Sequence, residues 1–220
     1  MNVAVIIPAY NAADSLPALF ERTVSILPKE YIFLVNDGSR DETKQIAEKF
    51  GVNVISHASN RGKGAALQTG FDAVLKNNFD AVITMDADLQ HQPEDIPKFI
   101  EKYLQTKCDV IIGSRLHNKQ GMPFHRVLSN TITTGLVRIR TGAAISDSQS
   151  GFRFITKKIF EQIKLQSPGF EAETEFLIKA ASIGASFGSI PIKTIYAGEK
   201  SNMTHLLTTV NFIKILFKRY

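Results

Sequence analysis

The sequence predicts an α/β fold of the Rossmann-like kind, a mostly parallel sheet with helices on both faces, and three observations carry that expectation. Short apolar runs of strand length, rich in valine and isoleucine, recur along the first half of the chain. Amphipathic segments of helix length separate them. The runs are apolar throughout rather than alternating, the pattern of strands covered on both faces.

In chain order, VAVII at 3–7 is the first expected strand, followed by a helix over 16–27 and IFLV at 32–35. A second helix spans 41–50, with Ser39 and Glu42 at the spacing of a capping box. VNVIS at 52–56, a helix over 64–75 and AVITM at 81–85 continue the alternation. Pro93 before Glu94 and Asp95 suits the entrance of a helix over 94–104, with acids near the positive end of its dipole. VIIG at 110–113 is the fifth strand. Beyond 115 the pattern weakens: 117–125 reads as a loop, 126–140 as a helix with basic edges, 172–183 as a helix ending at Gly184, and 187–192 as a strand. The division expected is one domain over 1–200 and a C-terminal amphipathic helix over 201–220. In that helix Leu206, Val210, Ile213 and Phe217 form one stripe beside Lys214, Lys218 and Arg219. The stripe suits an anionic membrane surface, or packing on the domain or on a partner.

Composition narrows the function classes. With 220 residues, 44% of them apolar, the chain can build a sizeable core. Its single cysteine, Cys108, excludes a disulfide framework and any multi-cysteine metal site. No run approaches the roughly 18 to 20 apolar residues of a membrane span, and Met1 leads directly into the first strand. The expected location is cytoplasmic, with peripheral association on the inner face of the membrane as the membrane option. The net charge of +5 is uneven: 107–140 carries +5 and 193–220 carries +4, against −4 for the remainder. Anions are therefore expected at particular places. Nucleic acid is not expected, since there is no zinc-knuckle spacing, aromatic-rich basic strand or helix-turn-helix pattern. Phosphorylated small molecules or anionic lipids fit better.

Open parallel sheets bind ligands at the carboxyl ends of their strands. Polar residues follow the strands here: Pro8, Tyr10 and Asn11; Asn36, Asp37 and Ser39; Asp86, Asp88 and Gln90; Ser114 and Arg115. Each set alone could be an ordinary turn. Asp86 and Asp88, one residue apart after a buried strand, repel unless a cation or donors compensate. Mg²⁺ or Mn²⁺ suits them, taking one or two carboxylates and filling the other positions with water and substrate phosphates. Gln90 could add a carbonyl oxygen, and His91 reads as a bystander. The run from Asn60 to Gly64 places Arg61 and Lys63 at a helix entrance, a phosphate-compatible patch without the spacing of a P-loop or of G-x-G-x-x-G.

VAVIIPAYN, VNDGS, NRGKGAALQTGF, MDADLQHQPEDIP, IIGSR and SDSQSGFR stand in an order and at spacings that resemble family 2 glycosyltransferases of the GT-A fold. The resemblance runs over about 3–200 and is nearest to the branch of dolichol-phosphate mannose synthase and polyprenyl-phosphate glucosyltransferases. It implies that Pro8, Tyr10 and Asp37 hold the base and neighbouring sugar of a nucleotide-sugar donor, with Arg61 and Lys63 close by. It implies that Asp86 holds the ribose or assists the metal, with Asp88 and Gln90 as direct ligands, and that transfer inverts the anomeric carbon in one displacement.

The acceptor decides whether a base is needed. A polyprenyl phosphate is already anionic and needs orientation and charge compensation, for which Arg115, Arg126 and Arg153 are the cations. A saccharide hydroxyl must lose a proton, for which Asp147, Glu173 and Glu175 are the candidates; Asp147 could instead orient Arg153. The stretch 196–202 lacks the arginine usual in the lipid-phosphate branch, and Lys200 could stand in its place. Two rivals are a non-catalytic nucleotide-sugar binding subunit, which the intact Asp86, Asp88 and Gln90 oppose, and a nucleotidyltransferase, whose N-terminal glycine-rich loop is missing.

Overall fold

A computed structural model of the chain describes residues 1–116, 122–193 and 205–218, without the side chains of residue 125 and residues 205–210. Lys119, the stretch 196–202 with Lys200, Arg219, and the side chains of Leu206 and Val210 lie outside the described set.

The strands are β1 (Val3–Ala9), β2 (Ile32–Asn36), β3 (Asn53–Ser56), β4 (Ala81–Thr84), β5 (Val110–Ser114), β6 (Arg153–Thr156) and β7 (Phe187–Pro191). They form one sheet in the order β3-β2-β1-β4-β6-β5-β7. β1 pairs in parallel with β2 and β4, β2 with β3, and β5 with β7. β6 alone runs antiparallel, between β4 and β5. The helices are α1 (Leu16–Val24), α2 (Thr43–Phe50), α3 (Lys63–Leu75), α4 (Ile96–Thr106), α5 (Phe124–Thr141), α6 (Lys157–Phe160), α7 (Ala172–Ser182) and α8 (His205–Phe217).

Successive residues of a strand face opposite sides, so each central strand feeds two cores. Val3, Val5 and Ile7 of β1 join Leu19 and Phe20 of α1 and Phe99 of α4 on one face. Ala4 and Ile6 join Leu67 and Phe71 of α3, Phe176 of α7 and Val137 of α5 on the other. Each fully buried isoleucine or phenylalanine contributes about 1.5–3 kcal/mol. This double covering is why β1, β2, β4 and β5 read as continuous apolar runs. β3 is an edge strand, and its Val54 and Ile55 are only half-buried.

Several local expectations differ from what forms. The first helix ends at Val24, because Leu27 precedes Pro28 and the chain turns there into a 3-10 turn over Lys29–Tyr31. The capping box of Ser39 and Glu42 does not form: α2 begins at Thr43, and Ser39 Oγ instead accepts the Asn11 N–H at 2.9 Å. Asp41 takes over the entrance, its Oδ1 accepting from Thr43 N at 3.1 Å and from Thr43 Oγ1 at 2.5 Å. Pro93 opens a 3-10 turn over Pro93–Asp95 rather than the α-helix itself, which begins at Ile96. The C-terminal helix packs on the domain, burying Phe212, Ile215 and Leu216, while Ile213 and Phe217 of the expected stripe face outward. No helix among the described residues is long and apolar enough to cross a membrane.

Candidate active site

The carboxyl ends of β1, β2 and β4 open onto a cavity of about 880 Å³, lined by Pro8, Tyr10, Asp37, Lys63, Asp86 and Asp88 among others. Six of the sequence-derived site residues thus meet in one place. Arg61 is close in the chain but exposed, and it serves the cavity through its backbone.

Asp37 organises the cavity's β2 side. Its Oδ1 accepts from Arg61 N at 2.9 Å and meets His57 Nδ1 at 2.6 Å, while its Oδ2 accepts from Gly62 N at 2.7 Å. A carboxylate offers about four lone-pair sites, so three donors leave room for one more, such as a base N–H. His57 Nε2 also meets Thr69 Oγ1 at 2.9 Å, fixing the ring between β3 and α3. The loop at 60–64 is pressed against the loop at 167–170: the Gly64 N–H donates to Pro168 O at 2.6 Å. A Cβ on Gly64 would sit 2.0 Å from Ser167 O, and one on Gly62 would sit 2.4 Å from Pro168 O with φ at +92. Neither position admits a side chain.

Behind this loop Lys63 bridges two acids. Its Nζ lies 2.5 Å from Asp86 Oδ1 and 2.5 Å from Glu173 Oε1, at the start of α7. Burial opposes the Lys63 charge, but Asp86 and Glu173 together lift its pKa above the ordinary lysine value. Burial likewise opposes the Asp86 charge, but Lys63, helped by Arg115, brings its carboxyl down to about 2. Asp86 is therefore anionic with Lys63 beside it as counter-charge. His91 is buried against Phe152, ring centroids 5.0 Å apart, and its Nδ1 accepts from Asp86 N at 3.2 Å. Burial holds the ring down to about 4, so it is a neutral acceptor that positions Asp86 rather than a bystander.

Asp88 turns back on itself, its Oδ1 accepting from Gln90 N at 3.0 Å, and it lines the cavity beside Asp86. Among the described residues no group of three or more His, Cys, Asp or Glu side chains is placed to hold a metal. Two hard carboxylates on a water-open cavity nevertheless fit an ion that fills its remaining positions with phosphate oxygens and water, as Mg²⁺ and Mn²⁺ do.

Arg115 follows β5 and is held by Asp147: Nε to Oδ2 at 2.9 Å, Nη2 to Oδ1 at 3.1 Å, and its backbone N to Oδ2 at 3.2 Å. Asp147 is fully buried, and although burial opposes its charge, Arg115 holds its carboxyl below the usual carboxylate range. Asp147 therefore orients Arg115, not Arg153. Arg153 is itself buried on β6, where Nη1 donates to Glu173 O and Nη2 to Ser148 O, each at 2.9 Å, and it does not line the cavity. Arg126 is half-buried in the first turn of α5. Glu175 is fully buried away from the cavity, where it accepts the N–H groups of Gln166 and Ser167 and pairs with Lys179 at 2.6 Å.

The sequence matches the model of glycosyl transferase family 2 over residues 4–164, more than half of its length. The chain belongs to that family. This glycosyltransferase is 35% identical over 190 residues to a dolichol-phosphate mannosyltransferase of Pyrococcus furiosus, an alignment covering 81% of this chain and 53% of the relative. It is 30% identical to a UDP-N-acetylglucosamine–dolichyl-phosphate N-acetylglucosaminyltransferase of Methanococcus voltae, over 88% of this chain and 86% of the relative. These relatives place it in the polyprenyl-phosphate branch of the family. A crystal structure of glucosyl-3-phosphoglycerate synthase from Mycobacterium tuberculosis, in complex with Mn²⁺, UDP and glucosyl-3-phosphoglycerate, superposes with a TM-score of 0.77 at 18% identity. That likeness covers 98% of this chain and 78% of the other, and it shows that the glycosyltransferase has the same fold.

Sequence reasoning passed over His57 and the structural duties of His91 and Glu173. Their partners lie 20 residues away in the chain for His57 and 110 for Glu173 with Lys63, so no local spacing marks them. A signal did exist for Arg153, since it directly precedes the apolar run FI.

Proposed function

We propose that this glycosyltransferase moves a hexose from a UDP- or GDP-hexose to a polyprenyl phosphate, with inversion at the anomeric carbon. A phosphate oxygen of the acceptor forms the new bond to that carbon. The bond to the nucleoside diphosphate breaks, and its electron pair leaves with the diphosphate. No proton has to move. The observation that carries this reading is the state of the carboxylates proposed as bases. Asp147 is tied to Arg115, Glu173 to Lys63, and Glu175 to Lys179 and two backbone N–H groups. None is poised to take a proton from a hydroxyl, which favours an acceptor already anionic over a saccharide hydroxyl.

Pro8, Tyr10 and Asp37 would seat the nucleoside, with Asp37 using its remaining lone pair. Asp86 and Asp88, with Gln90, would hold a Mg²⁺ or Mn²⁺ that offsets the negative charge growing on the departing diphosphate. Lys63 keeps Asp86 ionised and aimed, and Arg115, clamped by Asp147, presents its planar fork to the acceptor phosphate. Arg126, in the first turn of α5, would add positive charge on that side.

The test is transfer of labelled sugar from UDP- and GDP-hexoses to a short-chain polyprenyl phosphate with Mn²⁺ present. Transfer that Asp88→Ala abolishes and EDTA prevents is expected. No transfer from any donor, or an Asp88→Ala enzyme as active as the parent, overturns the reading.

A further inference from the structure

Helix α5 turns five large apolar side chains outward: Phe124 at 80% exposure, Leu128, Ile132, Leu136 and Ile139 at 83%. At 3.6 residues per turn they fall within an arc of about 120°. Arg138 borders the arc on one side and Arg140 on the other, and the helix contains no aspartate or glutamate. The opposite side, with Thr134 and Val137, is buried in the domain. Arg140 donates from Nε to Leu216 O at 2.9 Å and from Nη2 to Lys218 O at 3.2 Å. The last turn of α8 therefore lies beside the last turn of α5, adding Phe217, 78% exposed, to the same corner.

We propose that α5, with the end of α8, is the face on which this enzyme lies on an anionic lipid bilayer. An apolar arc between arginines is the pattern of a helix lying in the plane of a membrane interface, its side chains among acyl chains and its cations at the headgroups. A second copy of the chain is the weaker partner, because isologous pairing would bring together two basic helix faces with no acid on either helix to answer the arginines. The face is also joined to the acceptor side of the site. Arg115 precedes α5 and Asp147 follows it, and Ser148 is bound to mid-helix by its N–H donating to Thr134 Oγ1 at 3.0 Å. The proposal rests on the lipid-phosphate reading for its purpose, but the bilayer contact itself needs no acceptor.

The chain has no tryptophan, so Ile139→Trp introduces a sole indole reporter. With vesicles of phosphatidylcholine and phosphatidylglycerol its emission should shift to the blue, and with pure phosphatidylcholine it should shift far less. In co-sedimentation with the same vesicles, the double change Ile132→Gln and Ile139→Gln should lower binding about tenfold or more, while circular dichroism and donor binding by calorimetry stay as in the parent. Two results overturn the proposal: no blue shift with anionic vesicles, or equal vesicle binding by parent and double variant. A dimer of the parent that the double variant abolishes would assign the arc to a second copy and overturn it too. Donor binding in the same samples separates a failure of this proposal from a failure of the donor chemistry.

Discussion

Replacing Lys63 with methionine keeps the bulk of the side chain and removes the charge that holds Asp86 and Glu173 together. The three side chains are 15%, 26% and 9% exposed, so little water is available to take the ammonium's place. Breaking a buried pair by removing one partner costs about 3–5 kcal/mol. The Asp86 carboxyl gives an independent figure: held at about 2 against an ordinary 3.8, it accounts for roughly 2 kcal/mol at 1.36 kcal/mol per unit. Arg153 Nη2, 3.7 Å from Glu173 Oε2, softens the loss on that side, so about 3 kcal/mol is expected at neutral pH. The pH dependence has a definite sign. In the parent the folded-state value is depressed, so the stabilisation is present above the ordinary carboxylate pKa and is lost as pH falls toward 2. In Lys63→Met, burial acts without the ammonium and raises the Asp86 carboxyl, which then protonates on mild acidification and relieves the buried charge. The gap in stability between the two proteins should therefore shrink as pH falls from 7 to 4. Urea unfolding followed by circular dichroism at both values measures it. A gap below about 1 kcal/mol at pH 7, or one that does not narrow, would refute the idea that the bridge is an energetic unit.

Asp147→Asn should cut turnover with the lipid-phosphate acceptor about a hundredfold by letting the Arg115 fork drift, and should leave the donor dissociation constant nearly unchanged. Equal losses on both substrates, read from steady-state kinetics and calorimetry, would contradict that division of labour. Gly64→Ala drives a methyl into Ser167 O and Ala172 Cβ, and a loss of about 1–3 kcal/mol in thermal or urea unfolding is expected. His91, held down to about 4 chiefly by burial, makes the folded protein lose stability as pH drops from its ordinary 6.5 toward 4. His91→Phe should keep the stack on Phe152 and flatten that acid limb. Stability curves that stay parallel to the parent's would speak against a neutral buried imidazole.

The parallel half of the sheet was readable because β1, β2, β4 and β5 are covered on both faces, and the polar residues just past them had to lie on one rim. That is why Pro8, Tyr10, Asp37, Asp86 and Asp88 could be placed together from order alone. β6 escaped because it has four residues, opens on an arginine and runs against its neighbours. An arginine in an anion-binding protein reads as a phosphate ligand, and only the fold reveals that Arg153 spends its donors on Glu173 O and Ser148 O. Asp147 was recognised as an arginine's partner but paired with the wrong one, since Arg115 lies 32 residues away in the chain. The capping box failed for a different reason: Ser39 had a competing use in tying two strand-end loops together.

The reversed direction of β6 governs where the chain can be altered. Its first residue pairs with Thr84, the last residue of β4, and with Ile112 in the middle of β5, so residues entering β6 arrive on the cavity side of the sheet. Its last residue pairs with Ala81, at the far end, so the turn around Glu161 and Gln162, both exposed, hangs from the floor of the molecule. A fluorophore, affinity handle or fused domain grafted at that turn would trail away from substrate, whereas the same graft ahead of β6 would land in the mouth of the cleft.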